Sequence, residues 1–430
     1  MRVLVVGSGG REHALCWKLR QSPLLDELYC APGNPGIAEV ADVVSIQAEE
    51  IKKLADFAVD LKVDLTIVGP ELPLTLGLAD EFRSRELGVF GPRKQAAELE
   101  GSKVFAKEFM QRHGIPTADS VVVHERREAE KAARKFGFPV VLKADGLAAG
   151  KGVLIPQDKR ELAEALDAFF VERRFGASGD RIIVERHLVG EEVSLIALSD
   201  GRRLLPLATS KDYKRLLDND CGPNTGGMGS HSPSGVLSGR HAGDIMERVM
   251  RPVVSGMAEE NRPFEGFLYA GLILTEDGPQ VLEFNVRLGD PEAQSILLRL
   301  EDDLLPVLAE GAAGFFETER IRFRKEAAVC LVLAAAGYPD NPVKGDPIQT
   351  LATAPEVDGV EIFHAGTALD GGQVITAGGR VLNVCATGLN LREALRKAYL
   401  AAGEIRWPGA VLRSDVGRRV LTMMSSESAS

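Results

Sequence analysis

In the segment EFNVR, Glu283, Asn285 and Arg287 alternate with Phe284 and Val286. In an extended strand that alternation sends Glu283 and Asn285 to one face and Phe284 to the other. A carboxylate and an amide carbonyl converging on one face are enough protein oxygen for a hard divalent cation such as Mg²⁺, because phosphates and waters complete its octahedron. Arg287, on the same face by continued alternation, suits developing phosphoryl charge or a substrate phosphate. Taken alone, the segment fits equally well a solvated strand end closed by an Asn turn.

Two glycine loops offer cradles for phosphate. Lys143-Ala144-Asp145-Gly146-Leu147-Ala148-Ala149-Gly150-Lys151-Gly152 has three residues between Gly146 and Gly150 where a P-loop needs four, and Gly152 where it needs Ser or Thr. A glycine flap between strands can still fold over a triphosphate, its N–H groups donating while Lys143 supplies point charge. A plain hairpin is the alternative. The other loop, Gly7-Ser8-Gly9-Gly10-Arg11-Glu12, follows a strand and opens a helix, so it suits an anion. Glu12 stands where a dinucleotide fingerprint needs Gly or Ala, and the second strand ends at Cys30-Ala31 with no acid for a ribose. Both departures argue against a nicotinamide cofactor. Arg11 favours a small phosphorylated substrate over a turn that merely needs glycines.

These residues must be held by elements that the sequence punctuates clearly. Strands are expected over Arg2 to Val6, Leu28 to Ala31, Asp64 to Val68 and Val89 to Phe90, each running into a Gly/Pro turn and alternating with helical spacing. This grammar implies an open parallel α/β sheet with ligands at the strands' C-terminal ends. A small α+β lobe follows at about 120–190, with strands at Val140 to Lys143, Val153 to Ile155 and Arg181 to Glu185. Strands at Val193 to Leu198, Phe267 to Leu274 and Gln280 to Phe284 suggest a larger mixed sheet joined by the CGPNTGGMG loop. A last part carries strands at Ala328 to Ala334 and Arg380 to Ala386 and a helix through Leu391, Leu395, Ala398 and Ala402. The fold class expected is therefore a multidomain α/β and α+β protein. Its domains are placed at 1–101, 102–325 and 326–424, with a disordered tail at 425–430.

Composition narrows the function. With 430 residues, about three domains are expected. The net charge of -11 argues against a large basic face for nucleic acid but permits a local basic pocket. The five cysteines have no metal or disulfide spacing and read as buried small hydrophobes in a reducing compartment. The longest apolar run, Ala327 to Ala336, is about half of what a bilayer requires, so a cytoplasmic protein with no membrane partner is expected.

Lys103, Lys143, the GLAAGKG loop, Glu185-Arg186-His187-Leu188, Glu191-Glu192 and EFNVRLGDPE, in this order, resemble the ATP-grasp ligases. Within them, GSGGREHA, APGNPG, TIVGPE, EGSK, KADGLAAGKGV, GPNTGGMG, FHAGT and GGRVL resemble the phosphoribosylamine–glycine ligase family over essentially the whole chain. The resemblance implies an ATP-grasp module in the middle domain and an enzyme of purine biosynthesis that joins glycine to 5-phosphoribosylamine at the expense of ATP, through a glycyl phosphate, with Mg²⁺ or Mn²⁺. By the same likeness, Lys103 and Lys143 face the ATP phosphates under the loop of Gly146, Gly150, Lys151 and Gly152. Glu185 and the backbone at Leu188 receive adenine, Glu192 takes the ribose hydroxyls, and Glu283 and Asn285 hold the metal. Arg287 and Asp290 lie beside the reacting carboxyl, and Asp212 and the turn at Gly226 and Gly227 lie near acyl transfer. Gly9, Gly10, Arg11 and Glu71 approach phosphoribosylamine. The stretch Tyr269 to Leu274 carries no acid where many ATP-grasp enzymes place a second metal carboxylate. His13 is expected on a helix face or orienting substrate. A monomer is expected, with a weak dimer as the alternative. Among rivals, another carboxylate-activating ligase is disfavoured by GPNTGGMG and the FHAGT-containing tail, and a non-catalytic nucleotide sensor by the retention of Glu283, Asn285 and Arg287.

Overall fold

The computed structural model describes residues 1–147, 152–237, 239–349 and 357–427, without the side chains of 239, 240 and 424–427. Its first unit is a wholly parallel sheet in the order Asp42–Val43, Glu27–Pro32, Arg2–Gly7, Leu65–Val68, Val89–Phe90. Helices cover both faces, which is why Val3 to Val6 form an unbroken apolar run, all fully buried.

The middle of the chain builds two antiparallel sheets. The larger runs Leu204–Pro206, Glu191–Asp200, Glu265–Thr275, Gly278–Asn285. The smaller runs Ser120–Val123, Ile182–Arg186, Val140–Ala144, Val153–Leu154 and carries the helices Arg126–Phe136 and Lys159–Phe170. Its apolar faces close on one another through Val123, Leu142, Leu166, Phe169 and Val184, a core separate from the rest of the molecule.

A further sheet runs Lys211–Asp212, Gly229–Ser232, Ala327–Ala334, Arg380–Gly388, Val360–His364. It hydrogen-bonds Gly229–Ser232 directly to Ala327–Ala334, so the expected boundary at 326 falls immediately before a strand of a sheet that both parts share. The last helix, Arg418–Glu427, is seated by buried Val420 and continues through Ser425, Ser426 and Glu427, where the polar SSESAS tail had suggested disorder. Backbone hydrogen bonding along an anchored helix outweighs the weak preferences of three polar residues. Residues 428–430 lie outside the described residues.

The first and last parts of the chain meet at a pair of buried histidines. His13 Nδ1 accepts the His364 backbone N–H at 2.8 Å, and the His13 ring packs edge-on against Phe363 at 5.3 Å. Asn34 of the PGNPG turn donates to the carbonyls of Ser8 and His364. A Cβ at Gly36 would lie 2.5 Å from His13 Cε1, so this turn must be glycine to close over the pair. His13 is thus a joint between domains rather than a group that orients substrate, because its ring is enclosed by protein. Burial, and for His13 the neighbouring His364, lowers the two imidazoles from 6.5 to about 3 and about 4.

Both rings are therefore neutral in the fold, while the unfolded chain takes up protons near pH 6.5. Their contribution is complete above pH 6.5 and is lost as pH falls toward 4. His13→Gln should shrink the stability lost between pH 7.5 and pH 5 by about 2 kcal/mol, read from urea unfolding at the two pH values. An unchanged difference would mean that His13 is protonated in the native joint.

Candidate functional site

The base of the glycine loop is tied to a helix start. Ser102 caps the helix Lys103–Arg112 by accepting the Phe105 N–H, and its hydroxyl donates to Asp145 Oδ1 at 2.9 Å. Asp145 also accepts the Val104 N–H at 3.2 Å and pairs with Arg181 at 2.5 Å. A carboxylate at a helix N-terminus is where the helix dipole favours it. Gly146, at φ +113°, is required to be glycine, since a Cβ there would strike Ser178 Oγ at 2.8 Å. Lys103 Nζ donates to the Gly146 carbonyl at 2.9 Å. Gly150 and Lys151 lie outside the described residues, and the chain resumes at Gly152, whose carbonyl accepts the Ala144 N–H at 2.8 Å.

Behind the loop, Glu185 is 2% exposed and stands between Lys143 at 2.9 Å and Lys107 at 3.1 Å. Burial pushes its carboxyl up, but the two ammonium groups outweigh burial and hold it below the ordinary value. Glu185 Oε1 lacks a well-directed donor, leaving an acceptor for an added N–H. Lys143 Nζ also donates to the Leu282 carbonyl at 2.9 Å, which joins the small lobe to the strand bearing Glu283. Leu188 lies in the link between Ile182–Arg186 and Glu191–Asp200, and Glu192 stands at the head of the latter strand.

Phe284 enters the core while Glu283 and Asn285 take the opposite face of Gly278–Asn285, as alternation requires. Glu283 faces Lys214 at 3.6 Å, and Glu192 faces the same ammonium at 3.8 Å. Burial opposes ionisation of Glu283, yet Lys214, Lys103, Lys143 and Arg287 together hold its carboxyl down at about 2. Among the described residues no group of three or more His, Cys, Asp or Glu could hold a metal. One ionised carboxylate and one amide oxygen instead fit a cation that arrives with phosphate oxygens and water.

The strand ends at Asn285, so alternation does not place Arg287. Its guanidinium is instead fixed by Glu71 at 3.1 Å and Glu100 at 2.9 Å, while Glu100 also accepts the Val286 N–H at 2.7 Å. Burial raises the Glu100 carboxyl to about 7 against the pull of Arg287, with Glu71 adding to the rise. Asp290 is bracketed by Gln294, 2.8 Å from Oδ1, and Arg380, 3.3 Å from Oδ2. Arg380 also donates to the carbonyls of Gly226 and Asp290, both at 2.6 Å. Lys214, Glu100 and Arg380 were not singled out from sequence. TSKDYKR, EGSK and GGRVL contain them, but only the tertiary fold brings them to the site.

The first domain reaches the same place. Gly9 N–H donates to Glu12 Oε2 at 2.6 Å, and a Cβ on Gly9 would lie 3.4 Å from Asp290 Oδ2. Arg11 is buried, pairing with Glu12 at 2.5 Å and donating to the Leu288 carbonyl at 3.0 Å. Gly10 is demanded by packing, because a Cβ there would lie 2.0 Å from Asn383 Nδ2.

The segment bearing Asp212 and Lys214 is clamped from the C-terminal domain. Arg413, 1% exposed, makes a two-pronged contact with Asp415 at 2.8 and 2.9 Å, reaches Asp220 at 3.0 Å, and lies 5.2 Å from the Tyr213 ring centre. Tyr213 Oη accepts the Gly417 N–H at 2.8 Å. Arg413→Met should cost about 3–5 kcal/mol, since it strands buried Asp415. Adding Asp415→Asn should restore part of that loss in a double-mutant cycle measured by urea unfolding. Strict additivity would show that the pair is not coupled.

Comparison with known proteins now bears on this geometry. Family models described as phosphoribosylglycinamide synthetase N domain, ATP-grasp (A) domain and C domain match residues 1–100, 101–293 and 328–419. The chain is 46% identical over 421 residues to a phosphoribosylamine–glycine ligase of Brucella melitensis, covering 98% of both chains. It is similar to the crystal structure of the Thermotoga maritima phosphoribosylamine–glycine ligase, with a TM-score of 0.84 at 37% identity over 96% of this chain and 100% of that one. A biotin carboxylase domain from Hydrogenobacter thermophilus shares the fold alone, with a TM-score of 0.74 at 17% identity over 96% of this chain and 91% of that one.

Proposed function

The chain belongs to the phosphoribosylglycinamide synthetase family, and on that premise we propose how its own residues carry the family's reaction. It is a carbon–nitrogen ligase of purine biosynthesis that uses ATP to join glycine to 5-phosphoribosylamine, giving glycinamide ribonucleotide, ADP and phosphate. A glycine carboxylate is a poor acyl donor until one oxygen attacks the γ-phosphorus and ADP leaves. The amine of phosphoribosylamine then attacks the acyl carbon of glycyl phosphate, and inorganic phosphate departs. Neither step needs a protein nucleophile, so catalysis reduces to positioning and charge compensation.

The observation that carries the residue assignments is the partly exposed carboxylate of Glu283, with the Lys214 ammonium 3.6 Å away and Lys103, Lys143 and Arg287 adding to its electrostatic pull. Cations gathered at a strand end beside a glycine loop suit a polyphosphate. Lys103 and Lys143 take the ATP phosphates beneath the loop of Gly146, Gly150, Lys151 and Gly152. Glu185 accepts from the adenine amine, with the Leu188 backbone beside it, and Glu192 takes the ribose. Glu283 and Asn285 hold Mg²⁺ or Mn²⁺, which when bound draws charge from the phosphate oxygens. Arg287 and Asp290 flank the reacting carboxyl. Asp212, Gly226 and Gly227 line the acyl-transfer region, and Gly9, Gly10, Arg11 and Glu71 approach phosphoribosylamine. We keep the division at 1–101, 102–325 and 326–424 as part of this reading. All these residues come from one chain, so a monomer suffices. Among the described residues no helix is long and apolar enough to cross a membrane, and a cytoplasmic location suits the substrates.

ADP release by purified protein should require ATP, Mg²⁺, glycine and phosphoribosylamine generated in the assay. ADP formed with another carboxylate or amine instead would reject the substrate assignment. Glu283→Ala should lower turnover by about 100-fold or more, a loss of roughly 3 kcal/mol of transition-state stabilisation. Wild-type turnover in saturating Mg²⁺ would remove Glu283 from the metal.

A further inference from the structure

Arg287 lies past the end of its strand at Asn285, where alternation no longer fixes a side chain. A guanidinium on such a stretch turns about several bonds, and it meets a reacting group reproducibly only if neighbouring groups set its direction. Two carboxylates touch it, Glu71 Oε2 at 3.1 Å from Nε and Glu100 Oε1 at 2.9 Å from Nη2. They are not equivalent. The Glu71 side chain is 28% exposed and can be met by an entering solute, whereas that of Glu100 is 8% exposed and enclosed by protein. Glu100 also engages the main chain, its Oε2 accepting the Val286 N–H at 2.7 Å. That N–H follows the last residue of the strand, where the sheet ladder no longer supplies a partner.

The place demands two acceptors at once, one for a backbone N–H and one for a guanidinium. Only a carboxylate offers both, because a Gln has a single acceptor and its NH₂ end would face one of the two donors. Glu100 stands in the last turn of the helix Lys94–Gly101, directly ahead of Ser102, which caps the helix beginning at Lys103. One short segment thus fixes both Arg287 and the start of the helix that carries Lys103. We propose that Glu100 is a positioning residue for acyl-phosphate formation: it holds the Val286 backbone and the Arg287 guanidinium on its two oxygens and so aims Arg287 at the charge that develops on the transferring phosphoryl group. This rests on the ligase reading above, which puts Arg287 beside the reacting carboxyl. Glu100 itself stays behind the guanidinium, and its whole effect on the reaction passes through Arg287.

The test is a double-mutant cycle on the steady-state rate of ADP release, with ATP and glycine varied and phosphoribosylamine generated in the assay. Glu100→Gln should lower kcat by about 30-fold while the KM for ATP and for glycine moves by less than about 3-fold, the split left when an interaction made only in the transition state is lost. Arg287→Lys alone should lower kcat by about 100-fold, since an ammonium lacks the planar fork. Adding Glu100→Gln to Arg287→Lys should then cost less than about 3-fold more. Wild-type kcat in Glu100→Gln would overturn the proposal, as would a loss carried wholly by KM. An undiminished 30-fold loss in the Arg287→Lys background would also overturn it, because Glu100 would then act by a route other than Arg287. If Glu100→Gln does not fold, Glu100→Asp, which withdraws the carboxylate by one methylene, goes through the same cycle; a smaller loss confined to kcat and absent beside Arg287→Lys is expected, and an additive one overturns the proposal. Wild-type kcat in Arg287→Lys would reject the place of Arg287 in the ligase reading and the proposal with it, whereas a loss there beside wild-type kcat in Glu100→Gln rejects the proposal alone.

Discussion

Charge compensation across long sequence separations is the constraint on which the site depends. Glu185, Glu100 and Asp290 are held in little or no water, and each is matched by cations from elsewhere in the chain: Lys107 and Lys143, Arg287, and Arg380. Removing one partner of such a pair leaves an uncompensated buried charge and costs several kcal/mol, whereas the intact pair adds little net stability. The pairs therefore act less as glue than as a registry device. Lys143 reaches the central sheet, Arg287 reaches the first domain through Glu71, and Arg380 reaches from the C-terminal sheet to Asp290 and Gly226. A misdocked domain would strand these charges, so the domains' positions are specified at the place where chemistry requires accuracy.

The apolar cores divide the molecule differently from the ionic pairs. One continuous core joins the parallel sheet, the central sheet and the C-terminal strands through residues such as Leu15, Phe267, Ile296, Val332 and Phe363. The small lobe keeps a core of its own, and its ties to the body include Asp145 at the helix start and Lys143 at the Leu282 carbonyl. Apolar burial makes the body one unit, while a few polar contacts connect the lobe that carries the glycine loop. Polar contacts can be exchanged for ligand contacts at small net cost, which a buried apolar face cannot do.

What the sequence made legible follows from how far each signal reaches. Strand runs such as Val140 to Lys143 and Val89 to Phe90 were placed within a residue or so, because side-chain alternation and flanking glycine or proline are local. The opposition of Phe284 to Glu283 and Asn285 was legible for the same reason. Alternation does not reach Arg287, since the strand stops before it and two carboxylates from distant segments hold it. Lys214, Arg380 and Glu100 could not be picked out, because an isolated charged residue reads as a solvated face until topology supplies its partner. His13 illustrates the converse: its helix-face placement is local and legible, but that this face packs on Phe363 and His364 as a joint is visible only in the fold.

A net charge of -11 is at first sight ill matched to polyphosphate and sugar-phosphate substrates. At physiological ionic strength, however, fields from exposed charges fade within about 8 Å, so a substrate near the cleft senses the local arrangement and not the sum. Locally, Lys103, Lys143, Lys214 and Arg287 lie within electrostatic reach of Glu283 in a setting where low polarisability strengthens each charge, although Glu185, Glu192, Glu71 and Glu100 stand beside them. The acidic exterior therefore turns away extended polyanions, which must contact a broad surface, while the recessed cations remain available to a small anion that can enter. The same arithmetic that argued against nucleic acid is compatible with a nucleotide, because the two differ in the area over which charge must be matched.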